Sequence, residues 1–428
     1  MFYLYDFLLI LFFIISFPFF FSVMLLKGKY KDGLKERLGF IPDYINNSYI
    51  GRPVWIHAVS VGEVMGTLPL IKKLKKEYPD IKIILSTVTS TGNYVASSRI
   101  KEADYIIYLP FDLTIIVKRV INIINPRLFI IFESEIWPNL LRCMGSKNIP
   151  IIILNGRISN RSYKKYMLFK RFFKKVLNNI SFFCMQSHGD LKRIVGIGAN
   201  ENRVIVTGNI KYDQVEEEIR GNDINRLKDS LGIDNNKIIF IAGSTHKDEE
   251  KIVIDVFNEL RENYNNLLLI LAPRHPERVK EVISIIERYG YKYIKRSDML
   301  KGSRKENNVD IIVIDTVGEL GKIYSIGDII YVGGSLVDFG GHNILEPAIY
   351  KKPVIFGPYM QNFEEISNNM KENFGGIEVK NRNDFTREVK RLLNNKDLRD
   401  KLGELAYKVI EKNRGVTERN MEVIRNYL

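Results

Sequence analysis

Apolar residues fall along the chain in two alternating rhythms. Continuous apolar runs at 54–59, 81–85, 105–108, 128–132, 151–154, 182–185 and 204–206 are separated by stretches whose apolar positions recur every three or four residues. Within 62–78, for instance, Leu68, Ile71, Leu74 and Tyr78 share one helical face. Strands that are apolar on both faces belong in a parallel sheet covered by helices on each side. The rhythm pauses over the polar, charge-rich stretch 214–234. It restarts with strand-like runs at 237–242, 267–271, 291–294, 311–314, 329–332 and 354–356. The last thirty residues read as helix. The pattern predicts an α/β protein with two Rossmann-like, doubly wound parallel sheets facing a cleft, with ligands at the carboxyl ends of the strands. A length of 428 residues, of which 45% are apolar, suits two cores better than one.

The amino terminus breaks both rhythms. From Phe7 to Leu26 no residue is charged, and at about 1.5 Å per residue such a helix covers about 30 Å, a bilayer's hydrocarbon core. The stretch lacks the basic flank and small-residue cleavage site of a signal peptide. It therefore predicts an uncleaved transmembrane anchor, with Pro18 tolerated inside it. Lys27, Lys29, Lys31, Lys35 and Arg37 follow, against Asp32 and Glu36, which places the rest of the chain on the cytoplasmic side of the membrane. The stretch 161–175 (RSYKKYMLFKRFFKK) has seven basic and no acidic residues interleaved with Tyr, Phe, Met and Leu. It reads as one basic amphipathic helix suited to anionic headgroups, or else as an ordinary solvated face.

The net charge of +14 asks for an anionic partner. No nucleic-acid-binding motif accompanies it, which leaves anionic lipid and an anionic substrate. Two cysteines, Cys143 and Cys184, exclude a disulfide framework. The dinucleotide pattern G-x-G-x-x-G is absent, so no NAD or FAD cofactor is expected, and no ligand-spaced cluster calls for a metal.

Unusual residues gather at the ends of the expected strands, including all five histidines, His57, His188, His246, His275 and His342. In His57–Glu63 a strand turns into a helix with Glu63 near its start, where the helix dipole favours an ionised carboxylate. Glu63 is there either a general base or a plain first-turn glutamate. Gly243-Ser244-Thr245-His246 makes a phosphate seat or a simple cap. Arg274, in Ala272–Arg278, clamps an anion or pairs with Glu277. Gly333-Gly334-Ser335 lets backbone approach a ligand. Gly340-Gly341-His342-Asn343 opens a helix that carries Glu346 toward a ribose. Glu133-Ser134-Glu135 shapes a pocket, and Trp137-Pro138 beside it equally starts a helix.

Taken in order, WIHAVSVGE, LSTVTSTGN, ESEIWPN, LNGRIS, TGNIKYD, AGSTH, APRHPER, DTVGELGKIY and VGGSLVDFGGHNILEP resemble the Kdo (3-deoxy-D-manno-octulosonate) transferases of Gram-negative bacteria, from the anchor to about residue 363. The resemblance implies a GT-B fold and an inverting, metal-independent transfer of Kdo from CMP-Kdo to the 6′-hydroxyl of a lipid A precursor, lipid IVA, at the inner membrane. It makes Glu63 the base and Ser244, Thr245, Arg274, His275, Gly341, Asn343, Glu346 and Lys211 the donor-binding set, with Lys211 and Tyr212 in a hinge. Ser60, Gly62, Glu133 and Arg157 are then the acceptor-side candidates, and Arg157, Lys211 and Arg274 each could hold Kdo's carboxylate. The implied organisation is an anchor over 1–28, an acceptor unit over 29–213, a donor unit over 214–405 and a final helix, 406–428, able to cross back. A sugar-nucleotide 2-epimerase of related fold or a non-catalytic membrane scaffold are the alternatives. Neither uses both the anchor and the clustered strand-end residues.

Overall fold

A computed structural model describes residues 1–27, 32–45, 51–215, 219, 221–301 and 309–428 of the chain. Lys29, Lys31 and part of the polar stretch 214–234 lie outside the described residues. The chain forms two compact units, one of residues 1–214 with 415–428 and one of residues 215–414.

The first unit holds seven parallel strands: β1 (Val54–His57), β2 (Ile83–Thr87), β3 (Tyr105–Tyr108), β4 (Leu128–Phe132), β5 (Ile151–Gly156), β6 (Phe182–Met185) and β7 (Val204–Val206). Their spatial order is β3-β2-β1-β4-β5-β6-β7. Strands β1, β2, β4 and β5 are buried along their whole length, as helices on both faces require. Trp55 and Phe129, on neighbouring strands, meet edge to face at 5.1 Å, and the indole nitrogen donates to Ser86 Oγ at 2.8 Å.

The second unit repeats the plan with β8 (Ile238–Thr245), β9 (Leu267–Pro273), β10 (Tyr293–Lys295), β11 (Ile311–Val313), β12 (Ile329–Val332), β13 (Val354–Phe356) and β14 (Gly376–Glu378). The order is β10-β11-β9-β8-β12-β13-β14, again all parallel. The apolar pattern anticipates every strand but β14. That edge strand is short, only half-buried and begins at a glycine, so it carries no apolar run.

β1 and β4 are neighbours from which the chain continues in opposite directions, as are β8 and β12 in the second sheet. Neighbouring loops there leave the sheet in opposite directions and open a crevice beyond the carboxyl ends of the strands. At the carboxyl ends of β1, β4, β8 and β12 stand His57–Glu63, Glu133–Glu135, Ser244–His246 and Gly333–Ser335, the segments singled out from the sequence. Topology therefore brings them together in pairs.

The return to the first unit is built from local chemistry. Gly415 takes a left-handed φ of +84°, and the Asp213 carboxylate accepts from the N–H groups of Gly415 (2.8 Å) and Thr417 (2.6 Å). This caps the last helix, Val416–Arg425, whose Arg425 pairs with Glu77 on the Val61–Glu77 helix at 2.8 Å.

Two expected helices differ from their sequence reading. Residues Phe2–Lys27 do form one helix, but its first half is fastened to the first unit. Asp6 accepts from Thr114 N (3.1 Å), Thr114 Oγ1 (2.6 Å) and Asn139 Nδ2 (2.8 Å), Tyr5 donates to Asp112 at 3.1 Å, and Phe13 packs on Phe111. Among the described residues no helix is long and apolar enough to cross a membrane, so the transmembrane reading is corrected to a docked helix. Leu4, Phe7, Leu8, Phe12, Ile14 and Ile15 nonetheless stay exposed along it. The basic stretch is likewise two helices, Asn160–Leu168 and Lys170–Leu177, broken at Phe169. The break turns Leu168 and Phe169 outward, while Phe172 packs on Phe2 and Tyr166 on Phe173.

Candidate active site

In the first unit the loop after β1 is closed by a reciprocal cap. Ser60 Oγ accepts from Glu63 N, Glu63 Oε2 accepts from Val59 N at 2.8 Å, and Glu63 Oε1 accepts from Ser60 Oγ at 3.0 Å. Glu63 is thus a first-turn capping glutamate, yet its chemistry is unusual. Burial, and then the negative charge of Glu133, push its carboxyl up to about 7, against the pull of the Val59 and Ser60 hydrogen bonds. The helix start favours ionised Glu63, as expected, but desolvation outweighs that pull and leaves a carboxyl poised near neutrality, where a general base works best.

Glu133 follows β4 with a left-handed φ of +65°, a conformation non-glycine residues seldom take. Burial raises its carboxyl, and Lys211 and Arg157 pull it back. Lys211, expected with the donor residues, thus belongs to the first unit, close to Glu133. Glu135 is raised by burial and by Glu133. Arg157 is held through its backbone, which donates to Ser134 Oγ at 2.7 Å. Nothing lies within 4 Å of where a Cβ on Gly62 would stand, so that side of the loop is open. Trp137-Pro138 does start a helix, Pro138–Ser146. Beneath the loop, fully buried His57 bonds Ser86 Oγ at 2.9 Å, and burial lowers it to about 4, so it is neutral.

The second unit gathers the other set. Ser244 sits at a left-handed φ of +53° beside the buried hydroxyl of Tyr324, itself close to Glu346. Thr245 Oγ1 reaches Glu250 at 3.3 Å, and Glu250 is gripped by Arg278 at 2.8 Å. His246 and His342 lie edge to edge in nearly parallel planes with their Nε2 atoms 2.8 Å apart, one donating and the other accepting, and Phe339 stacks on His246 at 4.1 Å. Burial, then the positive neighbour Arg274, holds His342 down to about 4. Arg274 is exposed, and Glu277 lies instead 3.5 Å from His275, so the Arg274–Glu277 pair is not formed. Asn343 Oδ1 accepts from Leu345 N at 3.1 Å.

Two sequence readings change here. The helix carrying Glu346, Leu345–Ala348, is a single turn, too short for a strong dipole at its start. The amides of the first glycine turn are engaged by Glu249, which the sequence reading passed over. A pair of acidic residues at the start of Glu249–Arg261, in a segment otherwise following the amphipathic rule, was its only signal.

Gly243 shows how tightly this set is built. A Cβ there would overlap the buried Tyr324 hydroxyl. Gly243→Ala is expected to cost about 1–3 kcal/mol of stability, as read by thermal unfolding against the wild type.

A family model described as 3-deoxy-D-manno-octulosonic-acid transferase (kdotransferase) matches residues 32–214. A 3-deoxy-D-manno-octulosonic acid transferase from Haemophilus influenzae is 37% identical over 403 residues, covering 94% of this chain and 92% of that protein. The chain belongs to the Kdo transferase family. As a Kdo transferase family member it is an enzyme, a glycosyltransferase. Solved structures agree on architecture. A glycosyltransferase from Rickettsia africae matches with a TM-score of 0.60 at 16% identity over 88% of this chain and 99% of that one. A UDP-GlcNAc 2-epimerase from Neisseria meningitidis matches with a TM-score of 0.60 at 14% identity over 87% of this chain and all of that one. At such identities the likeness speaks for the GT-B type of fold alone.

Proposed function

We propose that this Kdo transferase family member moves Kdo from CMP-Kdo to the 6′-hydroxyl of a lipid A precursor, with inversion and without a metal. The observation that carries the reading is the half-buried Glu63 carboxyl, raised to about 7 beside Glu133 at the strand crossover of the first unit. Ionised Glu63 removes the hydroxyl proton as the oxygen attacks C2 of Kdo. The C2–O bond to the phosphate breaks, and CMP leaves with the bonding pair. Charge building on the phosphate is met by Arg274 and His275, with Ser244, Thr245, Gly341 and Asn343 as polar partners and Glu346 toward the ribose. On the acceptor side Ser60 and Gly62 border the hydroxyl. Arg157 and Lys211, already drawn toward Glu133, balance the carboxylates there.

We place the enzyme at the cytoplasmic face of the inner membrane, held there by the exposed apolar residues between Leu4 and Ile15 of the Phe2–Lys27 helix and by the basic elbow around Phe169. Lys164, Lys165, Lys170, Arg171, Lys174 and Lys175 are all exposed there, and Tyr166 on the same elbow is close enough to feel the Glu135 charge. An acceptor whose acyl chains stay in the membrane would reach the acidic cluster from this side. Replacing Lys170, Arg171, Lys174 and Lys175 by Glu is expected to abolish cosedimentation with anionic phosphatidylglycerol vesicles, at about 1 kcal/mol per charge. Undiminished vesicle binding would remove the elbow from the membrane contact.

The direct test is incubation of the full chain with CMP-Kdo and a tetraacyl disaccharide lipid A precursor. Mass spectrometry should find the lipid heavier by one or more Kdo units. An unchanged lipid with intact CMP-Kdo and folded enzyme would overturn the acceptor.

A further inference from the structure

The turn after β12 aims three consecutive N–H groups, those of Gly334, Ser335 and Leu336, at one point. Such a nest ordinarily receives an anionic ligand. Here the anion is part of the chain. Oε1 of Glu249 accepts from Ser335 N (2.9 Å), Leu336 N (2.8 Å) and the Tyr331 hydroxyl (2.6 Å). Its Oε2 accepts from Gly334 N (2.7 Å) and His246 N (2.9 Å). The residue is fully buried, and these five donors replace the water it has lost.

The carboxylate joins two loops that the fold brings side by side. His246 N directly follows β8, whose last two residues are Ser244 and Thr245. Gly334 passes the constraint on, because its carbonyl accepts from Gly341 N at 2.7 Å, at the start of the segment with Asn343 and Glu346. The loops are packed backbone to backbone: a Cβ on Gly333 would lie 2.6 Å from Ser244 O and 2.7 Å from Thr245 Cα.

We propose that Glu249 is a positioning residue for the donor nucleotide. By filling the glycine nest it sets the spacing of the two donor loops before the donor arrives. It also leaves the donor's phosphate to side chains, Arg274 and His275, rather than to the amides of the turn. The proposal deepens the donor assignment above and rests on it.

Glu249→Gln keeps the volume but turns an NH2 group toward backbone N–H donors. Calorimetric titration with CMP should show affinity reduced about tenfold or more, and steady-state assays should show the loss in the KM for CMP-Kdo with kcat within about threefold. Glu249→Ala empties the nest, and added formate should restore CMP binding to that variant while leaving the wild type unmoved. Tyr331→Phe removes one donor of five and should raise the KM in the same direction by a smaller factor. This milder variant decides the matter if the Glu249 variants do not fold. Wild-type CMP affinity in folded Glu249→Gln, or an unchanged KM in Tyr331→Phe, overturns the proposal alone. A wild type that does not bind CMP removes the donor assignment and the proposal together.

Discussion

Glu63→Gln is expected to lower kcat by about 10²–10⁴-fold, the usual contribution of a general base, with the donor KM nearly unchanged. Glutamine retains the shape, with its oxygen to accept from Val59 N and its NH2 to donate to Ser60 Oγ, so the cap survives while the basic group is lost. In the wild type, activity should rise with pH through about 7, because only the ionised carboxylate takes the proton. Glu133→Gln removes the like charge that helps hold Glu63 up, and should move this acidic limb to lower pH. The limb belongs to the coupled pair rather than to one residue. Stability carries the opposite sign. Between the ordinary carboxylate value and about 7 the unfolded chain ionises Glu63 while the folded chain keeps it protonated, so the wild type loses stability as pH rises. Glu63→Gln escapes that loss and should resist urea better than the wild type at pH 8, the advantage vanishing near pH 4. A profile without the limb near 7, or equal activity in the variant, would remove Glu63 as the base.

Arg278→Met is expected to destabilise the second unit by about 3–5 kcal/mol, the cost of stranding one member of a buried ion pair. The Glu250 side chain has no exposure at all, and Arg278 is its cation, at 2.8 Å, with Thr245 as a weaker partner. Burial already pushes the Glu250 carboxyl up, and loss of the Arg278 hydrogen bond should push it further. The penalty should therefore shrink in acid and grow as pH rises past the ordinary carboxylate value. Adding Glu250→Gln removes the stranded charge and should recover most of the loss. A double-mutant cycle in urea measures this coupling, and additive single effects would show that the pair is not a unit. Because Thr245 leans on Glu250, nucleotide binding should weaken in Arg278→Met and return in part in the double variant.

Much of this protein can be read along the chain, because parallel strands buried on both faces must be continuously apolar and their helices amphipathic. Thirteen of the strands announce themselves in that way; β14 does not, since an edge strand of three half-buried residues needs no apolar run. The strand-end residues were also legible, because glycine, histidine, arginine and glutamate have little use inside such a sheet. Nine motifs in one order carried the resemblance to the family, which the 37% identity to a curated relative then shows.

Proximity and desolvation were decided only by the tertiary structure. Helix position alone argues that Glu63 is ionised, whereas burial beside Glu133, some seventy residues further along the chain, sets it near 7. The glycine turn reads as a ligand seat until Glu249, more than eighty residues earlier, is found inside it. The uncharged stretch at the start reads as a free anchor, but Tyr5 and Asp6 find partners more than a hundred residues away that tie its first half to the sheet unit. In each case local pattern reports what a segment can form. Which charges share a dry space depends on contacts between residues far apart in sequence, and no local pattern encodes those.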